Sequence, residues 1–143
     1  MNIAKFNEFE NILFHICLDV DFVLEDEFGN SYDIHPNRPF RGKAANGLLD
    51  GLFSVTTTFT SGYGSKFGRG YLIIIEILTL NFVDDEFWNK ISRRGIEIFR
   101  EGLKNKLPSK NLDIVLDGNV YKIIGQFFLM VLLFLIIENE YIL

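Results

Sequence analysis

The chain has 143 residues, a length typical of one domain and too short to hold two well-formed cores. Its apolar fraction of 48% is ordinary for a folded protein, and its 15 phenylalanines predict a core built around aromatic rings. One cysteine excludes an internal disulfide, and a net charge of −5 disfavours bulk attraction to nucleic acid or anionic membrane. We expect a single domain over residues 1–143, in the cytoplasm because no secretory pattern opens the chain.

The first segment carries apolar residues at spacings of three and four, the pattern of an amphipathic helix that covers a sheet. This stripe comprises Ile3, Phe6, Phe9, Leu13, Ile16, Cys17 and Val20. The pattern predicts that Cys17 is a small buried hydrophobe with an inert thiol. After residue 20 the periodicity changes, and we predict a short hairpin over 21–34, with strands at 22–24 and 31–34.

A loop over 35–47 comes next, because two prolines and two glycines forbid a regular strand or a long helix there. Loops of this length are commonly functional or mobile. Between His35 and Gly70 five cations face one acid, a net charge of +4, so the rest of the chain carries −9. Any anion-binding surface is therefore expected in the middle third of the sequence.

The chain is organised around a long β-hairpin, predicted over 48–80. Its first strand, 53–60, alternates apolar and hydroxyl residues, as in a strand with one buried face. The second strand, 71–80, is apolar on both faces, which indicates an interior strand. Glu76 is the exception there, and an exposed position or an ion pair is expected for it. The tip, 61–70, contains four glycines and two cations.

Two more elements complete the predicted fold. An amphipathic helix is expected to begin with Asp84 or Asp85 as its N-cap and to end before Pro108. A second hairpin, with strands at 111–116 and 119–124, is predicted around an Asp-Gly turn. The resulting fold class is α+β, a mainly antiparallel sheet of about six strands with two amphipathic helices packed on one face.

The C-terminal segment 127–137 consists of eleven consecutive apolar residues. Crossing a bilayer as a helix takes about 17 to 25 such residues, so a membrane span is not expected. Leaving this segment in water would forfeit roughly 1.5 to 3 kcal/mol for each large side chain. We therefore expect 127–137 to be buried in the core or in an interface, as a helix or as a strand.

The sequence contains no recognisable enzyme or cofactor motif. Two histidines and one cysteine are too few for a Cys/His zinc site, and neither a P-loop nor a nucleophile elbow occurs. The glycines of the tip connect two strands and open no helix, so the helix dipole that binds a dinucleotide is missing. We predict no catalytic residue, no metal and no cofactor.

Two classes of function stay open, and an enzyme is a third that we rank below both. The first is a non-enzymatic binding or assembly module with a protein–protein interface, including self-association through 127–137. The second is binding of phosphate or single-stranded nucleic acid such as RNA, because glycine-rich turns expose backbone N–H groups and aromatic rings stack on bases. The residues assigned to this ligand site are Arg38, Arg41, Lys43, Tyr63, Lys66, Phe67 and Arg69. Whether the loop 35–47 and the tip form one basic surface is left open by the sequence.

Overall fold

A computed structural model describes residues 3–125 of the chain, which form an α+β fold around an antiparallel sheet. The elements are α1 (Ile3–Phe28), β1 (Phe53–Thr60), β2 (Gly70–Ile77), α2 (Asp85–Lys106), β3 (Asp113–Asp117) and β4 (Val120–Ile124). Short 3-10 turns lie at Gly47–Leu49 and Pro108–Lys110. The strand order is β1-β2-β4-β3, so the described sheet has four strands and not the predicted six.

The predicted hairpin over 21–34 is wrong, because α1 continues to Phe28. Leu24 is fully buried and Phe28 packs against the core, so the apolar stripe continues four and eight residues after Val20. The two strands expected in that hairpin account for the difference between six strands and four. Helical periodicity over 20–28 therefore prevails over the local strand preference of Phe22 and Val23.

The long hairpin and the second hairpin are confirmed. In the first, β1 pairs with β2 along its whole length, from Phe53 opposite Ile77 to Thr60 opposite Gly70. In the second, β3 pairs with β4, which also pairs with β2. The strand β2 is thus an interior strand, as predicted, and β1 and β3 form the two edges of the described sheet.

Both helices pack on one face of the sheet. Gly95 allows α2 to approach the sheet closely, because a Cβ atom there would lie 2.6 Å from Ile75 Cδ1 of β2. Gly102 allows α2 to approach α1, because a Cβ atom there would lie 2.9 Å from Ile16 Cγ2. The helix α2 begins as predicted, with the carboxylate of Asp84 accepting a hydrogen bond from the Phe87 N–H at 2.8 Å. No helix within residues 3–125 is long and apolar enough to span a membrane. The segment 127–137, expected to be buried, lies outside the described residues.

Candidate functional site

The glycine-rich tip folds onto the face of the sheet that the helices leave uncovered. Tyr121 and Ile123 face the helices, so the alternation of β4 points Lys122 to this outer face, where it is nevertheless only 1% exposed. Its ammonium donates to Ser65 Oγ at 2.9 Å and to the Gly68 carbonyl at 2.6 Å, and it pairs with the Asp117 carboxylate. The tip is therefore a cover over a buried lysine.

The side chains predicted to bind a ligand at the tip are presented differently from one another. Tyr63 is fully exposed, whereas the ammonium of Lys66 lies over its neighbour's ring, 5.6 Å from the centroid of Phe67. Arg69 is half-buried, and its Nε atom has no hydrogen-bond partner in the described structure.

Three backbone N–H groups of the tip are already occupied. Those of Gly62, Ser65 and Phe67 donate to the Thr60 hydroxyl, the Gly62 carbonyl and the Ser65 hydroxyl, respectively. An anion nest needs free N–H groups that converge on one point. These three N–H groups are therefore not available to an anion.

In the loop 35–47, Arg38 holds the backbone together. Its Nε donates to the Gly51 carbonyl at 2.8 Å, and its Nη2 donates to the carbonyls of Leu48, Asp50 and Phe53 at 2.8 to 2.9 Å. All four acceptors are main-chain oxygens at the start of β1 and in the segment before it. These donors are fully used, so Arg38 has a structural role here.

The other two cations of the loop lie at its surface. The guanidinium of Arg41 is 4.9 Å from the centre of the Phe22 ring, donates to the Phe22 carbonyl at 3.4 Å, and lies 3.9 Å from the Asp26 carboxylate. Lys43 is exposed. Because Arg38 is bound beside Phe53 and the tip follows Thr60, the two basic groups lie at opposite ends of β1, roughly 23 Å apart. The structure does not bring them into one surface.

Sequence reasoning missed three buried carboxylates beside this loop, namely Asp21, Glu25 and Asp50. Glu25 accepts from the Phe53 N–H at 2.8 Å, and Asp50 accepts from the N–H groups of Gly42 at 2.9 Å and Ala44 at 3.2 Å. Asp21 is 5% exposed, and its Oδ1 atom has no hydrogen-bond partner among the described residues.

Burial changes the acidity of this cluster. Loss of hydration, followed by the charge of Glu25, raises the pKa of Asp21 to about 8. Loss of hydration also raises the pKa of Glu25, although backbone N–H groups of Phe53 and Leu52 act in the opposite direction. The neighbouring thiol of Cys17 is buried as predicted, and its pKa rises to about 12, mainly through burial and then through Asp21.

An open cavity of about 430 Å³ lies above Asp21, between α1 and the loop, and we call it the acidic pocket. Its lining consists of Leu18, Asp19, Asp21, Phe22, Arg41, Gly42, Ala44, Gly47 and Asp50. Leu18 and Phe22 form apolar walls, and three of the lining residues are acidic. Arg41 is the one cation in the lining. The volume is within the range of pockets that take small ligands or single side chains.

Five apolar side chains line the acidic pocket or lie on the segments that form it, and we call them the apolar rim. Phe14, Leu18 and Phe22 follow one another at i, i+4 and i+8 along the same side of α1. Phe14 and Phe22 are exposed, Phe22 to 64%, whereas Leu18 is half-buried and packs against the core. Phe40 and Leu49, both more than half exposed, adjoin the pocket residues Arg41 and Asp50 in the chain. Large apolar side chains grouped in this way are unusual on a monomer and mark interaction sites.

A signal for this site was present in the sequence. Asp21 and Glu25 follow Cys17 by four and eight residues, so an uninterrupted helix places both carboxylates on its buried side. The interpretation of 21–34 as a hairpin concealed that spacing.

No group of three or more His, Cys, Asp and Glu side chains in the described part of the chain is arranged to hold a metal ion. Glu76 is exposed, on the same face of the sheet as Lys122.

Comparison with known proteins identifies relatives of this chain. A family model described as "Uncharacterised protein" matches residues 4–125. A protein of Borreliella burgdorferi described as "Uncharacterized protein" is 93% identical over 128 residues, which cover 90% of this chain and 100% of that relative. No solved structure matches the chain. The family match covers the helices and strands described above, including the pocket and the rim.

Proposed function

We propose that this chain, which belongs to the family described as "Uncharacterised protein" whose model matches residues 4–125, is a non-enzymatic binding module that docks a segment of another protein. The observation that carries this proposal is the apolar rim beside the acidic pocket. Burying one large apolar side chain is worth about 1.5 to 3 kcal/mol, so a partner that covers Phe22 and its neighbours gains substantial free energy.

Charge indicates what kind of segment fits. The surface between the rim residues is acidic, with Asp19 exposed and Asp21 and Asp50 behind it, and Arg41 alone opposes them in the pocket lining. A docked segment with apolar side chains and a positive charge complements both features. A second copy of this chain complements them poorly, because a two-fold interface through the rim brings the acidic pockets of both copies close together.

Selection of a random peptide library on the purified protein tests this proposal. The selected peptides should carry apolar residues and at least one Lys or Arg. Phe22→Ala should weaken their affinity about tenfold or more, the loss expected when a central apolar contact is removed. Leu116→Ala is the matched control, because Leu116 is 54% exposed and lies on β3, the edge of the described sheet opposite β1. Equal affinity of the two variants, or enrichment of acidic peptides, would contradict the proposal.

Light scattering of the unmodified chain tests the competing occupant, which is a second copy. The expected result is a mass, at concentrations of tens of micromolar, that Phe22→Ala leaves unchanged, whether or not copies of the chain associate through 127–137. A dimer that Phe22→Ala dissociates would show that the rim serves self-association, and it would overturn the choice of partner made here.

The alternative function is binding of phosphate or single-stranded nucleic acid by the hairpin tip. It is favoured by the fully exposed ring of Tyr63, which is free to stack on a base, and by the nearby cations Lys66 and Arg69. Changing Lys66 and Arg69 together to Ala should weaken oligonucleotide affinity and flatten its dependence on salt. The control changes the exposed Lys104 and Lys106 of α2 to Ala. No measurable binding at low salt by the unmodified protein would eliminate this alternative.

A further inference from the structure

We infer that the acidic pocket binds one organic cation, an alkylammonium or alkylguanidinium group, through the carboxylate of Asp21. We call this cation-binding site the socket. This inference rests on the proposed function, in which the cation is the Lys or Arg side chain of the docked segment. It adds a specific anchor to an interface otherwise defined by apolar contact.

The first argument is the unused acceptor. Asp21 is 95% removed from solvent and lines the pocket, yet its Oδ1 atom has no hydrogen-bond partner in the described structure. The other two buried carboxylates differ, since Glu25 and Asp50 each accept backbone N–H groups. A buried carboxyl oxygen without a partner is costly, and a ligand that supplies a donor recovers that cost.

The second argument is the composition of the pocket. Asp19, Asp21 and Asp50 line it, and the guanidinium of Arg41 is held at the outside by the Phe22 ring and carbonyl. Arg38 lies behind the cluster with its donors directed to four carbonyls. Leu18 and Phe22 form walls that suit the methylene chain behind a cationic head.

Proton exchange gives the socket a distinctive signature. Because the pKa of Asp21 is raised to about 8, the carboxyl group is mainly protonated at neutral pH, and an entering cation must displace that proton. Affinity should therefore rise as the pH increases from about 6 to about 9. The titratable and charged groups around Asp21 are Cys17 and Glu25 from α1, Arg38 and Arg41 from the loop, and Asp50, with Asp19 in the pocket lining.

The experiment uses small probes, so it needs no partner protein. Nα-acetyl-lysine methylamide and Nα-acetyl-arginine methylamide are titrated into the full chain and followed by amide NMR shifts, with the norleucine analogue as the neutral control. We expect saturable shifts at Gly42 and Gly47. The affinity of the norleucine analogue for the unmodified chain, and that of the cationic probes for Asp21→Asn, should be at least about tenfold weaker. The increase of affinity with pH should vanish in Asp21→Asn. Circular dichroism verifies that this variant folds.

A second variant tests whether the pocket binds cations or anions. Arg41→Gln removes the opposing cation, so both cationic probes should bind more tightly, by a few-fold at low salt. If the pocket instead receives anions, the same variant should lose binding of inorganic phosphate. Phosphate binding that depends on Arg41, probe affinity unchanged in Asp21→Asn, shifts confined to another surface, or no binding of either cation would each overturn the inference.

The outcomes also separate this inference from the proposed function. If selected peptides need Phe22 but bind Asp21→Asn as tightly as the unmodified chain, docking on the rim stands and the socket is excluded. If the cationic probes bind through Asp21 but no peptide depends on Phe22, the socket stands as a small-molecule site and the docking proposal fails.

Discussion

The ammonium of Lys122 lies 2.9 Å from the hydroxyl of Ser65, which joins the middle of strand β4 to the tip of a hairpin 57 residues earlier in the chain. This contact explains why an apolar strand carries a lysine that is almost completely buried. Burying an ammonium is costly unless it is paired and hydrogen-bonded, and the tip and Asp117 supply those partners. The interaction with Lys122 and the hydrogen bond from Ser65 in turn lower the pKa of Asp117.

Replacing the buried lysine should destabilise the protein. Lys122→Met leaves the Asp117 carboxylate and the Gly68 carbonyl without their common partner, so we expect a loss of about 2 kcal/mol or more in the free energy of unfolding. Urea denaturation measures this loss. Lys43→Met is the matched control, because Lys43 is exposed, and it should change stability by less than about 0.5 kcal/mol. Equal stability of the two variants would contradict the structural role of the lysine.

Two glycines of the tip form a matched pair for a second test. Gly62 and Gly64 both adopt positive φ, at 77° and 78°, so alanine at either position is strained by about 1 kcal/mol or more. A Cβ on Gly62 would also overlap the backbone of Gly68, whereas one on Gly64 meets nothing within 4 Å. Gly62→Ala should therefore lower the melting temperature clearly more than Gly64→Ala. The reverse order would show that the tip does not fold back on itself.

The buried carboxyl of Asp21 predicts a pH dependence of stability. Its pKa is raised from an ordinary value near 3.8 to about 8, so the folded chain retains a proton that the unfolded chain releases. The contribution of Asp21 to the free energy of unfolding should be largest below about pH 4. It should fall as the pH rises to about 8 and then level off. Asp21→Asn removes this slope, so its stability relative to the unmodified chain should increase over that range.

Denaturation at several pH values from about 4.5 to 9 measures this effect. Taking the difference between the two proteins cancels the contribution of Asp117, whose lowered pKa acts at acid pH. Glu25 also has a raised pKa, which acts with the same sign, and because its charge acts on Asp21 the difference reports the two coupled carboxyl groups together. A difference that stays constant with pH would mean that Asp21 is ionised in the folded protein at neutral pH.

Replacing Arg38 by lysine should destabilise the protein. Lys has no planar fork, so Arg38→Lys cannot reproduce four hydrogen bonds to separate carbonyls, and we expect a loss of about 2 kcal/mol or more in unfolding free energy. Arg93→Lys is the control, since Arg93 is exposed and makes one long hydrogen bond of 3.4 Å to its own helix. Similar stability of both variants would contradict the role assigned to Arg38.

Periodicity and turn residues predicted most of the described fold. Alternation in 53–60, the Asp-Gly turn after β3 and the cap at Asp84 each depend on neighbouring residues, so they are visible in the sequence. The end of α1 was mispredicted because Phe22 and Val23 favour a strand locally, and the helix is stabilised there by distant groups such as the Phe53 N–H bonded to Glu25.

The candidate site was predictable only in part, through the helical spacing of Asp21 and Glu25, for a related reason. The cations of 35–47 and of the tip were grouped by their proximity in the sequence, but one group lies at the start of β1 and the other beyond its end. The acidic pocket lies between α1 and the loop, and its carboxylates come from positions 19, 21 and 50. Single-sequence patterns carry no information on such long-range closure.

The four carbonyl bonds of Arg38 also determine how the acidic pocket meets a ligand. They tie the segment from Leu48 to Phe53 to the loop, and the Gly51 N–H adds a further bond to the Pro39 carbonyl at 2.9 Å. The wall of the pocket that contains Asp50, Gly42 and Ala44 is thus preformed. A preorganised receptor loses little conformational entropy on association, so in the proposed docking the entropy cost falls mainly on the incoming segment.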